Sequence, residues 1–209
     1  MTPVIRPVGD TALLVDFANA ADAFARVVAL DRSLAADAPA GMIEAVPATT
    51  TLLVVYDPFA TRPTDLAPLL HDRLERASDA PVEGAEHIVR VSYDGPDLAA
   101  VAERTGLSSA DVAAQHAAGT YHVANYGFAP GYAYLGGVPD ALHLPRKTAA
   151  VRGHPVGSVM IAGAQCLITT LIMPTGWWVI GHTDFRVLDA NAEKPFRFDP
   201  GDRVRFAAA

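Results

Sequence analysis

The sequence contains few lysines, one cysteine and no long hydrophobic segment, and each shortage excludes a class of protein. The single cysteine, Cys166, rules out an internal disulfide bond and a cysteine-rich zinc site. Lys147 and Lys194 are the only lysines, and no basic cluster offsets the formal net charge of -7. Because that charge repels phosphate backbones, nucleic acid is not an expected partner. No segment has the roughly 18 uncharged apolar residues of a membrane span, and no secretory signal opens the sequence, so we predict a cytoplasmic protein that does not contact a membrane.

Three catalytic signatures are also absent. The sequence has no Gly-x-x-x-x-Gly-Lys-Ser/Thr phosphate loop, and Ser158 lacks the second glycine of a nucleophile elbow. None of the 7 histidines has the helical spacing that places two zinc ligands on one face. We therefore predict no metal site, and no cofactor bound by this chain alone.

The first part of the chain has the pattern of a small α+β domain. Short apolar runs at residues 4–8 and 12–17 flank Gly9-Asp10 and predict a β-hairpin. Helical spacing follows from Phe24 to Leu34 and from Leu66 to Leu74, with strands predicted between them at residues 43–46 and 51–56. Such a sheet is buried when both helices cover one face, so we predict an α+β domain over residues 1–82, with a boundary in residues 80–85.

The second part is predicted to be mostly β. A strand at residues 87–93 precedes short helices at 97–105 and 108–119, the second opened by a capping box of Ser108 and Asp111. Short β-prone runs then alternate with glycine and proline clusters, at residues 121–125, 158–161, 165–172, 177–180, 185–188 and 203–206. Because many short strands must hide their edges, we predict a closed or nearly closed β structure over residues 86–209.

The segment from Tyr126 to Gly137 concentrates glycines, aromatic residues and Pro130. Glycine permits positive φ, proline fixes φ and rings supply rigid contact area, which is typical of a shaped loop lining a cleft. An ordered connection whose rings plug the edge of a core explains the same composition. Both interpretations stay open from the sequence.

Several single residues are candidates for chemistry. His116 shares a helical stripe with Val112, which suits either a satisfied core histidine or a functional one. His182 follows a predicted strand and could reach a cleft, and Gln165 could hydrogen-bond an amide or lactam if it points inward. Arg146 could bind a carboxylate through its guanidinium fork, although a solvated surface arginine is the commoner case.

Several motifs, in order and spacing, resemble the KipI/PxpB family, whose members are also called allophanate hydrolase subunit 1 or the B subunit of 5-oxoprolinase. The motifs are residues 91–98, His116, residues 127–135, residues 144–146 and residues 200–204, with further likeness at residues 9–15 and 52–58. The resemblance implies that the second domain is a cyclophilin-like β-barrel. It also implies a non-autonomous subunit of a heteromeric ATP-dependent hydrolase that opens the lactam of 5-oxoproline to glutamate.

The same resemblance implies partners and a site. The expected partners are a C-type subunit, similar to KipA/PxpC, and an A-type subunit, with ATP and Mg bound in the complex. The alternative is a KipI-like regulator that binds and inhibits a histidine kinase. We predict catalytic roles for His116, Gln165 and His182, and substrate binding by Phe128, Pro130, Gly131, Tyr134 and Arg146.

The sequence departs from the family pattern at positions that usually carry a cation. Ala150-Val151 stand where the family has Pro-Arg, and His182 stands in place of the arginine of a Gly-Arg-Thr motif. Alanine and valine cannot donate hydrogen bonds, and histidine is largely neutral near pH 7. We therefore expect the fold to be kept more faithfully than the activity, with a changed ligand as one outcome.

Overall fold

The structure is a computed structural model that describes residues 3–77 and 84–209. The chain divides into two compact units between Glu83 and Gly84. Most of the predicted boundary at residues 80–85 lies outside the described residues. The assignment of residues 1–82 and 86–209 to two domains stays a prediction.

The first unit is a four-stranded antiparallel sheet with two helices. Its elements are β1 (Val4–Val8), β2 (Ala12–Asp16), α1 (Ala23–Ala36), β3 (Met42–Pro47), β4 (Thr51–Tyr56) and α2 (Pro63–Ala77). The strand order is β1-β2-β4-β3. The predicted order of strands and helices is confirmed.

One face of this sheet forms the core of the first unit. Alternate strand residues such as Leu13, Val15 and Val54 are buried with Leu30 of α1 and Leu70 of α2. Since residues two apart in a strand share a face, both helices cover the same side of the sheet, as the sequence predicted. Each fully buried side chain of this kind stabilises the fold by about 1.5–3 kcal/mol.

The second unit is mostly β. Its strands are β5 (Glu86–Val91), β6 (Tyr121–Tyr126), β7 (Ala133–Gly136), β8 (Ser158–Ala162), β9 (Gln165–Ile168), β10 (Trp178–His182) and β11 (Arg203–Ala208). They form one sheet in the order β10-β8-β9-β7-β6-β11-β5. All pairs are antiparallel except β11 with β5, which is parallel.

The sheet curls until its two end strands meet. Ser92, just after β5, exchanges two backbone hydrogen bonds with His182 at the end of β10, each 2.9 Å long. Further along this seam, Gly95 N–H donates to Ile180 and Asp97 N–H donates to Val179. The result is a nearly closed barrel whose interior is packed with side chains such as Val159 and Ile180.

Two helices follow β5, α3 (Leu98–Thr105) and α4 (Ser109–Ala118). The predicted capping box is present, because Ser108 Oγ accepts from Asp111 N–H and the Asp111 carboxylate accepts from Ser108 N–H. Gly106 ends α3 in the left-handed conformation, with φ of 71°. These boundaries match the sequence prediction.

Two predicted strands and one predicted loop differ from the structure. In the segment of residues 126–137 that was predicted as a loop, Tyr126 ends β6 and residues 133–136 form β7, so the loop between these strands is limited to residues 127–132. The predicted strand at residues 165–172 ends at Ile168, because Thr169 turns its backbone and hydroxyl to Ser158 and Pro155. The predicted strand at residues 185–188 is absent, and Leu188 forms only an isolated bridge with Phe196. No described helix combines the length and apolar character needed to cross a bilayer.

Candidate functional site

The outer face of β7, β9, β8 and β10 carries an apolar layer that is separate from the barrel interior. Along β8, Val159 and Ile161 point into the interior, whereas Met160 points to the outer layer with Leu167 of β9 and Val179 of β10. Strand alternation explains this division. The outer layer is buried in turn, because Leu171 and Met173 from the β9–β10 connection pack against it.

Two loops meet beside this outer layer. The hairpin loop of residues 127–132 joins β6 to β7, and the second loop, residues 169–177, joins β9 to β10. Thr170 Oγ1 donates to the Pro130 carbonyl over 2.7 Å, and the Tyr132 hydroxyl donates to Met173 Sδ over 2.9 Å. These bonds hold the two loops as one rim.

The hairpin loop has an unusual backbone. Phe128 has φ of 71° and is the one non-glycine residue with positive φ among the described residues. Its side chain is 71% exposed and its ring lies 5.4 Å from that of Tyr132. Such strain in a bulky residue persists only when the surrounding contacts fix it, which occurs often at functional sites.

Aromatic and cationic groups converge at the other end of the outer layer. The rings of Tyr134 and Trp177 are 6.0 Å apart, and the Arg146 guanidinium lies 5.5 Å from the Trp177 ring. Gln165 pairs with Ala162 and with Gly136 at this same end of the sheet. Gln165 is half-buried and Arg146 is exposed, so both can reach a ligand.

The structure brings most of the predicted substrate-binding residues to one face. Tyr134 and Arg146 contact Trp177, while Phe128, Pro130 and Gly131 lie in the rim loop. Their roles stay predictions. Trp177 was not among the predicted site residues. The available signal was its position directly after Thr175-Gly176, at the start of a predicted strand, where a turn holds the ring in place.

His182 and Gln165 are not adjacent. His182 pairs with Ser158 at one end of β8, and Gln165 pairs with Ala162 at the other. Four residue steps along a strand separate these positions by about 13 Å. His182 instead lines a pocket of about 410 Å³ together with Arg90, Ser92 and Asp184, and no residue of the rim loops lines it.

His116 lies inside the barrel and has no exposed surface. Its Nδ1 is 2.8 Å from the Tyr93 hydroxyl, and its Nε2 is 3.5 Å from Cys166 Sγ. Burial lowers the pKa of His116 to about 3, so the ring is neutral. Burial also raises the pKa of the Cys166 thiol, which therefore stays protonated. The core interpretation of His116 fits these contacts, and a catalytic role for it stays a prediction.

A half-buried ion pair supports the seam of the barrel. Lys147 Nζ lies 2.7 Å from Asp97 Oδ2 and 5.6 Å from the Trp178 ring. The same carboxylate oxygen accepts from Val179 N–H over 2.8 Å. No role was predicted for Lys147, although it is one of only two lysines in the sequence.

Comparison with known proteins agrees with this architecture. A family described as the carboxyltransferase domain, subdomains C and D, matches residues 3–198, and the chain belongs to that family. The chain is 37% identical over 172 residues to the B subunit of 5-oxoprolinase from Escherichia coli O157:H7, covering 79% of this chain and 77% of that protein. It is 35% identical over 184 residues to the B subunit of 5-oxoprolinase from Bacillus subtilis, covering 79% and 75%. These similarities confirm the predicted KipI/PxpB family.

Solved structures extend the comparison. A crystal structure of TTHA0988 has a TM-score of 0.84 and 36% identity, covering 99% of this chain and 40% of that chain. The chain thus spans about two-fifths of the TTHA0988 polypeptide. The K. lactis urea amidolyase shares the fold, with a TM-score of 0.72 at 15% identity, over 99% of this chain and 15% of that chain.

Proposed function

We propose that this chain is the B-type subunit of a heteromeric, ATP-dependent enzyme of the cytoplasm that opens a cyclic amide, converting 5-oxoproline to glutamate. The observation that carries this proposal is the similarity, at 35–37% identity over most of the chain, to two proteins named as the B subunit of 5-oxoprolinase. We also assign the barrel to the cyclophilin-like class.

The outer face around Trp177 offers groups that suit a small lactam acid. The Gln165 amide can donate to the lactam carbonyl and accept from the lactam N–H. Arg146, held over the Trp177 ring, can pair with the carboxylate of the substrate. The rings of Tyr134 and Trp177 supply flat apolar surface for the five-membered ring. These residues bind and orient the substrate, and positioning of this kind lowers the reaction barrier.

ATP and Mg are assigned to the partner subunits. The chemistry that they would supply there is activation of the amide oxygen as a leaving group. This sequence contains no phosphate loop, and residues 3–77 and 84–209 contain no cluster of three metal-ligating side chains. That this chain itself binds neither ATP nor Mg stays a prediction.

The activity test uses the chain co-expressed with A-type and C-type subunits from the same organism. ADP release that depends on 5-oxoproline is the readout. Gln165→Ala is expected to lower kcat/KM by about tenfold or more, because the lactam loses its hydrogen-bonding partner.

Arg146→Met is expected to raise KM more than it lowers kcat, because the substrate carboxylate loses its cationic partner in the ground state and the transition state alike. Gln115→Ala on α4 is the matched control, since Gln115 is the only other glutamine and is also half-buried.

Equal kinetics for Gln165→Ala and Gln115→Ala would remove the outer face from the mechanism. Absence of 5-oxoproline-dependent ADP release in the wild-type complex would overturn the proposed substrate, and the departures at Ala150, Val151 and His182 make a related lactam the next one to assay. No relative reported above is named for the alternative, inhibition of a histidine kinase, and no described residue favours it.

A further inference from the structure

Strand β5 has one paired edge and one open edge. Arg203 N–H donates to the Ala85 carbonyl over 2.8 Å, and Ala209 N–H donates to the Val91 carbonyl over 3.0 Å. In a parallel ladder the bonded residues alternate, so the backbone groups of Ile88 and Arg90 point away from β11. Ser92 continues this second series, and its N–H and carbonyl both bond to His182. Within residues 3–77 and 84–209, no strand other than β11 pairs with Ile88 or Arg90.

The open edge faces the pocket of about 410 Å³ described above. Ile88, Arg90 and Ser92 form one wall, and residues 182–185 form the other. β10 ends at His182, which bridges Ser92, and the other seam bonds come from Gly95 and Asp97 on the far side of Ser92 from Arg90. The gap is therefore a groove bordered by backbone donors and acceptors with which no described strand pairs.

We propose that this groove is a strand-addition site, where an extended segment of a partner polypeptide pairs with the open edge of β5. Backbone hydrogen bonds would provide affinity, and the side chains of Ile88 and Arg90 would provide selectivity. These two side chains project from the same face of β5, and Ile88 is 65% exposed. Cross-strand pairing then favours a segment with an apolar and an acidic residue two positions apart.

The occupant is a segment of a partner protein of the complex, and this step rests on the proposed function. Nearly all of this chain matches only 40% of TTHA0988 and 15% of the urea amidolyase, so in those proteins the equivalent part is joined to further polypeptide. A second copy of this chain is the competing occupant, and the mass in solution distinguishes it in the test below. A segment of a partner protein of the proposed complex is therefore the occupant that we test.

The test uses the full chain, co-expressed with the A-type and C-type subunits. Deuterium uptake by peptides that contain Ile88 and Arg90 is compared in the free chain and in the purified complex. Protection of these amides on complex formation is the expected result. Arg90→Pro removes the N–H that faces the groove and keeps the bonds to β11, and we expect at least a tenfold loss of affinity. Arg90→Ala keeps the backbone donor and is the matched control, with a smaller loss.

The outcomes separate this proposal from the proposed function. A complex that forms without protection of residues 86–92, and that binds Arg90→Pro as tightly as wild type, overturns the strand-addition site and leaves the proposed function intact. Absence of any complex overturns both. If these amides are protected in the free chain at high concentration and its mass in solution is doubled, the occupant is a second copy of this chain. That result overturns the proposed partner protein. The exchange experiment uses wild-type protein, so it decides the question even if Arg90→Pro does not fold.

Discussion

At the scale of single residues, His116 couples the stability of the barrel to pH. Burial lowers its pKa to about 3 in the folded chain, compared with about 6.5 in an unfolded chain. Between these values the unfolded chain binds more protons, so the free energy of unfolding falls by about 1.4 kcal/mol per unit as pH drops through this range. Tyr93 and Cys166 face the ring and stay protonated, because burial raises the pKa of both.

We predict that His116→Gln is less stable than wild type near pH 7.5, by about 2 kcal/mol, since Tyr93 loses its buried partner. The difference should narrow as pH falls toward about 5, because glutamine does not titrate. Urea unfolding at several pH values measures both quantities. A difference that stays constant with pH would show that the ring is already protonated or exposed in the folded state.

The two lysines offer a matched comparison of a half-buried and an exposed ion pair. Lys147 and Asp97 have side chains only 12% and 18% exposed, whereas Lys194 and Asp199 are 67% and 52% exposed. We predict that Lys147→Met costs about 2 kcal/mol of unfolding free energy, because the Asp97 charge is left partly buried without its cation. Lys194→Met should change it by less than about 0.5 kcal/mol. Chemical denaturation of both variants is the measurement, and equal effects would contradict the structural role of Lys147.

At the scale of elements, the hairpin loop depends on Gly131. Its φ is 74°, and an added Cβ would lie 2.8 Å from Leu188 Cβ and 3.0 Å from Thr170 Cγ2. Gly131→Ala is therefore expected to displace the rim loops and to destabilise the barrel by about 1–3 kcal/mol. Gly153→Ala separates the backbone strain of positive φ from the steric clash of the added Cβ. Gly153 also has a positive φ, 90°, but no atom lies within 4 Å of its added Cβ. Thermal unfolding that ranks the two variants equally would refute the steric argument.

The elements that were predictable from sequence are those fixed by local patterns. Alternating Leu13 and Val15, the helical stripe ending at Leu34 and the Ser108 capping box each act within a few residues, so the sequence alone located them. The pairing of Ser92 with His182 depends on residues far apart in sequence, and no local pattern encodes it. The same limit applies to the candidate site. The sequence suited both Gln165 and His182 to one cleft, but strand pairing places them at opposite ends of β8.

At the scale of the whole molecule, each unit has its own buried core. We predict that residues 84–209 fold without the first unit and unfold cooperatively. Both tryptophans, Trp177 and Trp178, lie in this unit, so their fluorescence reports its unfolding alone. The fragment should reproduce the tryptophan emission and near-ultraviolet dichroism of the full chain. Loss of the near-ultraviolet signal with retained helical signal would indicate that the barrel core needs the rest of the chain.

The position of β11 in the sheet governs the order of events during synthesis. β11 is the last strand, yet it inserts between β5 and β6, which leave the ribosome much earlier. Until β11 emerges, β5 has no strand beside it that links it to β6. The edges of β5 and β6 that β11 later covers are therefore unpaired in the nascent barrel. All four strands of the first unit lie within residues 4–56, so this sheet can form before the last strand of the barrel has been synthesised.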